Sequence, residues 1–231
     1  MRRPLRQFLR ALIGLSADRS LRRGLDGIRV GGLTAAQQHL ALGPCIFAAT
    51  HVSWWDGLVV RHLGGQLGAD QRVLVDAKRM EDFAFFASFD CVPLDRAGRM
   101  GVRSTLRTIQ SHLDGPGKAV WIFPQGRQMP TSIRPLGLQP GAIWMAKHTE
   151  ATIVPVALDY RFLEAPQPAA FVEFGEPLSD PSSDALHDAL VRGLQRIDER
   201  SSMQLPAHPP DLATRAISWL WNQTAPGGKH G

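Results

Sequence analysis

Cysteine is scarce in this chain: two residues, Cys45 and Cys91, among 231. Both fall inside apolar runs, which suits small buried hydrophobes better than a disulfide framework or a thiolate nucleophile. The expected setting is therefore reducing and cytoplasmic. The chain contains no CxxC and no HExxH, so no metal motif is offered. It also lacks GxSxG, the turn that presents a serine nucleophile in many hydrolases. No run approaches the ~20 apolar residues of a membrane-spanning helix. Low-complexity blocks are missing too, and an apolar fraction of 44% with 20% charged residues is ordinary for a globular protein. The length suits one sizeable α/β domain, with or without a small satellite.

What charge there is lies unevenly. Residues 1–30 hold eight arginines against two aspartates, whereas the whole chain carries only +5. Leu5, Phe8, Leu9, Leu12 and Ile13 recur at the spacing of one helical face, with arginines over much of the other side. Such a helix suits an anionic membrane surface, leucines in the acyl boundary and arginines at phosphates. Packing on a core with a solvated basic face is the competing expectation. Arginines interrupt any apolar stretch long enough for a signal peptide. A leucine face paired with arginines fits a membrane better than nucleic acid, so no nucleic-acid partner is expected.

Beyond this segment, short apolar runs alternate with helical stretches. Residues 44–49, 72–77, 91–94, 119–123, 152–158 and 171–174 read as strands, and residues 56–67, 80–89, 99–113, 140–149 and 183–200 as helices. The alternation predicts an α/β fold, a mostly parallel sheet flanked by helices, and near-continuous apolar strands agree with a sheet covered on both faces. Pro155 inside TIVPVAL suggests an edge position or a bulge. The expected organisation is a basic amphipathic segment over residues 1–30, one domain over 31–204, and a proline-rich link with a tail helix over 205–231.

The chemistry concentrates in HVSWWD, residues 51–56. His51 falls just past the first of these strands, where ligands collect in open parallel sheets. Inside one regular helix, five residues would put His51 and Asp56 some 140° apart. They meet only across a strand–turn–helix junction, where Asp56 can accept the Nδ1 proton and leave Nε2 free as a base. Trp54 and Trp55 then offer an apolar wall. Ser53 lies too close in sequence to complete a serine triad. Taken alone, the pair fits a capping aspartate beside a packed histidine better than a catalytic pair.

The company it keeps is more informative. THVSWWD (50–56), CVPLDR (91–96), FPQG (123–126) and IVPVAL (153–158) follow one another in order. In this the sequence resembles the 1-acylglycerol-3-phosphate acyltransferase family of glycerolipid acyltransferases, whose H-x4-D block precedes three such blocks, the third commonly FPEGTR. The likeness extends from about residue 40 to 200.

It implies a peripheral membrane O-acyltransferase, on the inner face of the cell membrane, that moves a fatty acyl group from acyl-CoA or acyl carrier protein to a hydroxyl of a lysolipid acceptor. His51 would be the general base and Asp56 its orienter. Arg96, Phe123, Pro124, Gln125, Gly126 and Arg127 would hold substrate, and no cofactor or metal is implied. The third block departs from the family: Gln125 replaces the usual Glu, and Arg127 arrives one position early, with Arg134 and Lys147 as further cations nearby. An arginine fork suits a phosphate, while the neutral Gln125 suits a non-phosphate acceptor such as a glycolipid. A lipid or thioester hydrolase and a catalytically inert lipid-binding module are the other readings. Trp54, Trp55, Phe83, Phe85, Phe86, Phe89, Trp121 and Trp144 are candidates to line an acyl channel.

Overall fold

A computed structural model of the protein describes residues 3–77, 80, 91–94 and 98–203. Its centre is a seven-stranded sheet in the order β1-β7-β6-β2-β5-β3-β4. The strands are β1 (Ile28–Gly31), β2 (Cys45–Ala49), β3 (Asp70–Asp76), β4 (Cys91–Leu94), β5 (Lys118–Ile122), β6 (Thr152–Phe162) and β7 (Pro168–Phe174). β6, β2, β5, β3 and β4 run parallel. β7 is antiparallel to β6 and carries β1 parallel to itself on the outer edge.

Helices cover both faces, as the apolar strands demand. The helices are α1 (Arg3–Gly24), α2 (Leu33–Leu42), α3 (Asp56–Leu67), α4 (Gly98–His112), α5 (Gly141–Lys147) and α6 (Ser183–Met203). One core joins α1, α2 and α3 to the face bearing Phe47, Trp121 and Val154; the other joins α4, α5 and α6 to the face bearing Ile46, Val120 and Ile153. Consecutive strand residues thus enter opposite cores, as a two-residue period requires. The buried Trp121 ring lies 4.6 Å from Phe47, and its indole N–H donates to Gln71 Oε1 at 2.7 Å, so its one polar group is satisfied.

Along α1, Ala17 and Leu21 are buried in the core, and Asp18 pairs with Arg61 of α3 at 3.0 Å. Trp55 packs so closely beneath Gly24 that a Cβ there would fall 2.2 Å from its ring. This half of α1 therefore packs on the body. The leucine face expected over residues 5–13 lies outside the described side chains, as do the expected helix over 80–89, apart from residue 80, and the segment 205–231.

Pro155 corrects an expectation. It stands on an inner strand, opposite Ala48 of β2. The β6–β7 ladder begins only at Val156, and the Pro155 carbonyl, pointing to the β7 side, accepts from Gly175 N–H at 2.8 Å beyond the end of β7. The missing proline N–H faces that same point, past the last ladder pair of Val156 with Phe174, so the ladder from Val156 onward is untouched and neither an edge nor a bulge is needed.

Candidate active site

Three strands deliver the site from their carboxyl ends: β2, with β5 and β6 as its neighbours. Past β2 the chain stays clamped to β6. Thr50 N–H donates to Val156 O at 3.1 Å, while its hydroxyl donates to Leu158 O and accepts from Leu158 N–H, both at 2.7 Å. His51 is next. Its backbone N–H donates to Gln125 Oε1 at 2.6 Å, its carbonyl accepts from Met129 N–H at 2.8 Å, and its ring stacks on Phe123 at 4.4 Å. Backbone and ring are both fixed before any hydrogen bond of the imidazole is considered.

Asp56 opens α3 and is completely buried. A buried carboxylate must find donors for both oxygens. Oδ2 lies 2.6 Å from His51 Nδ1 and accepts from the backbone N–H groups of Val52 at 2.7 Å and Ser53 at 3.0 Å. Oδ1 accepts the Tyr160 hydroxyl at 2.7 Å. The acceptor-only carboxylate requires the Nδ1 proton on the ring, which leaves Nε2 as the site for a proton from elsewhere. Ser53 is occupied otherwise: its hydroxyl accepts from Trp55 N–H at 3.3 Å.

The third block is a tight turn. Gly126 N–H donates to Phe123 O at 3.0 Å, and Gly126 has φ of +68°, a conformation that favours glycine. Phe123, Pro124 and Gly126 line a cavity of about 920 Å³ together with His51 and Trp54. Among the described residues its wall is mostly apolar, with Leu58, Val73, Val75, Leu106, Ile109 and Trp144 contributing. A second cavity of about 520 Å³ adjoins it, lined by Gln125, Gly126, Arg127 and Gln139.

The structure also sorts the remaining candidates. Gln125 is buried with its oxygen committed to the His51 backbone, while Arg127 is exposed beside it, its Nε–H donating to Met129 Sδ at 3.4 Å. Arg134 and Lys147 are exposed and line neither cavity. Arg96 lies outside the described residues, as do Phe83, Phe85, Phe86 and Phe89. Of the other aromatics, Trp54 and Trp144 line the large cavity, whereas Trp55 packs under α1 and Trp121 is core. Burial pushes the Cys45 thiol up to about 11, which makes it inert as a nucleophile at neutral pH, while Cys91 borders the cavity.

Tyr160 is the residue that sequence reasoning missed. It sits on β6 two positions past Leu158, where the strand was expected to end. Burial foremost, then the Asp56 charge and the hydrogen bond to it, hold its phenol far above the ordinary range. It is a neutral donor. The signal available was the alternation Val156, Leu158, Tyr160 on one strand face.

A mostly parallel sheet with a carboxylate-held histidine at the end of its central strand, open to a large apolar cavity, defines an enzyme of the α/β class. Residues 27–159, more than half of the chain, match the model of the acyltransferase family, and the chain belongs to that family. It is an acyltransferase. Among solved structures, the 1-acyl-sn-glycerophosphate (LPA) acyltransferase PlsC from Thermotoga maritima shares the fold with a TM-score of 0.54 and 16% identity, over 87% of this chain and 84% of that one. No curated protein gives a significant sequence match.

Proposed function

We propose that this acyltransferase moves a fatty acyl group from the thioester of acyl-CoA or acyl carrier protein to a hydroxyl of a lysophospholipid or related glycerolipid, with His51 as general base. The observation that carries this reading is the histidine at the cavity wall: Nδ1 is tied to a fully buried carboxylate, and Nε2 has no protein partner among the described residues. The acceptor hydroxyl gives its proton to Nε2 as its oxygen attacks the thioester carbonyl carbon. The carbon–sulfur bond then breaks, and the thiolate leaves and takes a proton back. Asp56 holds the ring in one tautomer and stabilises the imidazolium between these steps. The apolar cavity suits the acyl chain, and the cleft beside Arg127 suits the acceptor head group, with Arg96 as a second cation from the second block.

Among the described residues no helix is long and apolar enough to cross a membrane. The reading puts the protein peripherally on an anionic surface, the inner face of the cell membrane, on the strength of the arginines at the start of the chain. The test is direct. Incubated with labelled acyl-CoA and a panel of lysophospholipids and glycolipids, the wild type should form one acylated lipid class, and His51→Ala should reduce that rate by about 10²–10⁴-fold, the usual contribution of a general base. Release of free fatty acid at one rate with or without every acceptor would favour a hydrolase, and lipid binding with neither activity an inert module.

A further inference from the structure

We propose that Tyr160 is a positioning residue for acyl transfer, acting through Asp56 on His51. The inference rests on the reading of His51 as the base. It begins with the sheet. β6 outruns β2, pairing with it only as far as Val156, while its own hydrogen bonding to β7 continues to Phe162. The overhang carries Tyr160 past the end of the central strand, over the junction that holds His51 and Asp56. The Thr50 hydroxyl, which donates to Leu158 C=O and accepts from Leu158 N–H, fixes the registration of overhang against junction.

The carboxylate explains why a donor is needed there. Asp56 Oδ2 takes three N–H groups, all from residues 51–53. Oδ1 points away from them into a buried region, and the Tyr160 hydroxyl at 2.7 Å is its partner. Without that donor the carboxylate has a bare, desolvated oxygen and a reason to rotate, which would break its alignment with Nδ1. The phenol also draws charge from the carboxylate, so it tunes how strongly Asp56 accepts the Nδ1 proton. A phenol resting against an apolar strand face would do neither.

Tyr160 is the one tyrosine in the chain, which makes the experiment selective. In Tyr160→Phe, kcat should fall roughly tenfold, ~1.4 kcal/mol of transition-state stabilisation, with the KM values of donor and acceptor nearly unchanged. The Nδ1–H proton resonance of His51 should move downfield as Asp56 becomes the stronger acceptor. Biosynthetic replacement by 3,5-difluorotyrosine, a stronger donor that keeps every ring atom, should move it upfield; this measurement stands even where Tyr160→Phe folds poorly. A resonance that stays put in the difluorotyrosine protein, or an unchanged kcat in Tyr160→Phe, would overturn the proposal. His51→Ala run in parallel separates the two levels: if it abolishes transfer while Tyr160→Phe is normal, only the tyrosine's role fails, and if it remains active the base reading fails with it.

Discussion

Replacing Asp56 by asparagine isolates the charge of the carboxylate from its geometry. The wild-type side chain accepts three donors on Oδ2 and one on Oδ1. Asparagine has one oxygen. Placed where Oδ2 stood, that oxygen still faces the His51, Val52 and Ser53 donors, and the amide N–H then faces Tyr160, whose hydroxyl can rotate to accept. The opposite orientation would set an amide N–H against three donors, so it is disfavoured. The tautomer of His51 and the path of the loop therefore survive, and what disappears is the negative charge opposite the imidazolium. With charge centres about 4 Å apart and an effective dielectric of about 20, the lost attraction is ~4 kcal/mol, or roughly 10³-fold in kcat. The assay is steady-state acyl transfer with donor and acceptor varied separately, beside a thermal melt. A fall of about 10²–10⁴ in kcat with a cooperative melt is expected. A folded Asp56→Asn protein with kcat near the wild-type value would refute the imidazolium argument, since the geometry would be present and the charge unused.

The remaining predictions concern the cavity and the N-terminal helix. Alkylation of the native protein at pH 8 should leave Cys45 unmodified, because the residue is 1% exposed and its thiol is raised to about 11; Cys91, at the cavity wall, should react and be protected by long-chain acyl-CoA, and mass spectrometry showing no protection would remove the acyl chain from this cavity. Deleting residues 1–13, which leaves Ala17, Asp18 and Leu21 to pack on the body, should weaken sedimentation with anionic vesicles, and raised salt should weaken it in the full chain. Equal vesicle binding with and without those residues would place the membrane contact elsewhere.

How far the sequence discloses the structure depends on how much of each element's surface is apolar. β2 and β5 enter two cores at once, so CIFAA and AVWI are legible as buried parallel strands and their order with the helices gives the fold class. β1 and α2 left no such trace. IRVG is short, half-buried and carries an arginine, and α2 starts after Gly32 without a side-chain cap. The end of β6 is concealed for a different reason. Asp159 and Arg161 look like loop residues, yet the Asp159 carboxylate is buried between the Thr131 hydroxyl at 2.8 Å and the Arg161 guanidinium at 2.8 Å, so polar side chains are satisfied inside a strand. That concealed strand end is what hid Tyr160. His51 and Asp56 were legible because their spacing admits few backbone paths that bring them together.

Gln125 shows what a departure from a family pattern means once its partner is known. The family resemblance implies a place for it among residues that hold substrate, where an amide in place of a carboxylate reads as a lost charge. In the structure its oxygen accepts the backbone N–H of His51 at 2.6 Å, from a side chain only 5% exposed. An acceptor oxygen is what that N–H requires, and glutamine supplies one as well as glutamate does. A glutamate would bury a second negative charge close to the His51–Asp56 pair and need a partner of its own, since an unpaired buried charge is costly. Arg127, the nearest cation in sequence, is exposed and turned to Met129. The amide therefore preserves the link between the turn after β5 and the turn after β2, and leaves Asp56, among the described residues, as the one carboxylate hydrogen-bonded to His51.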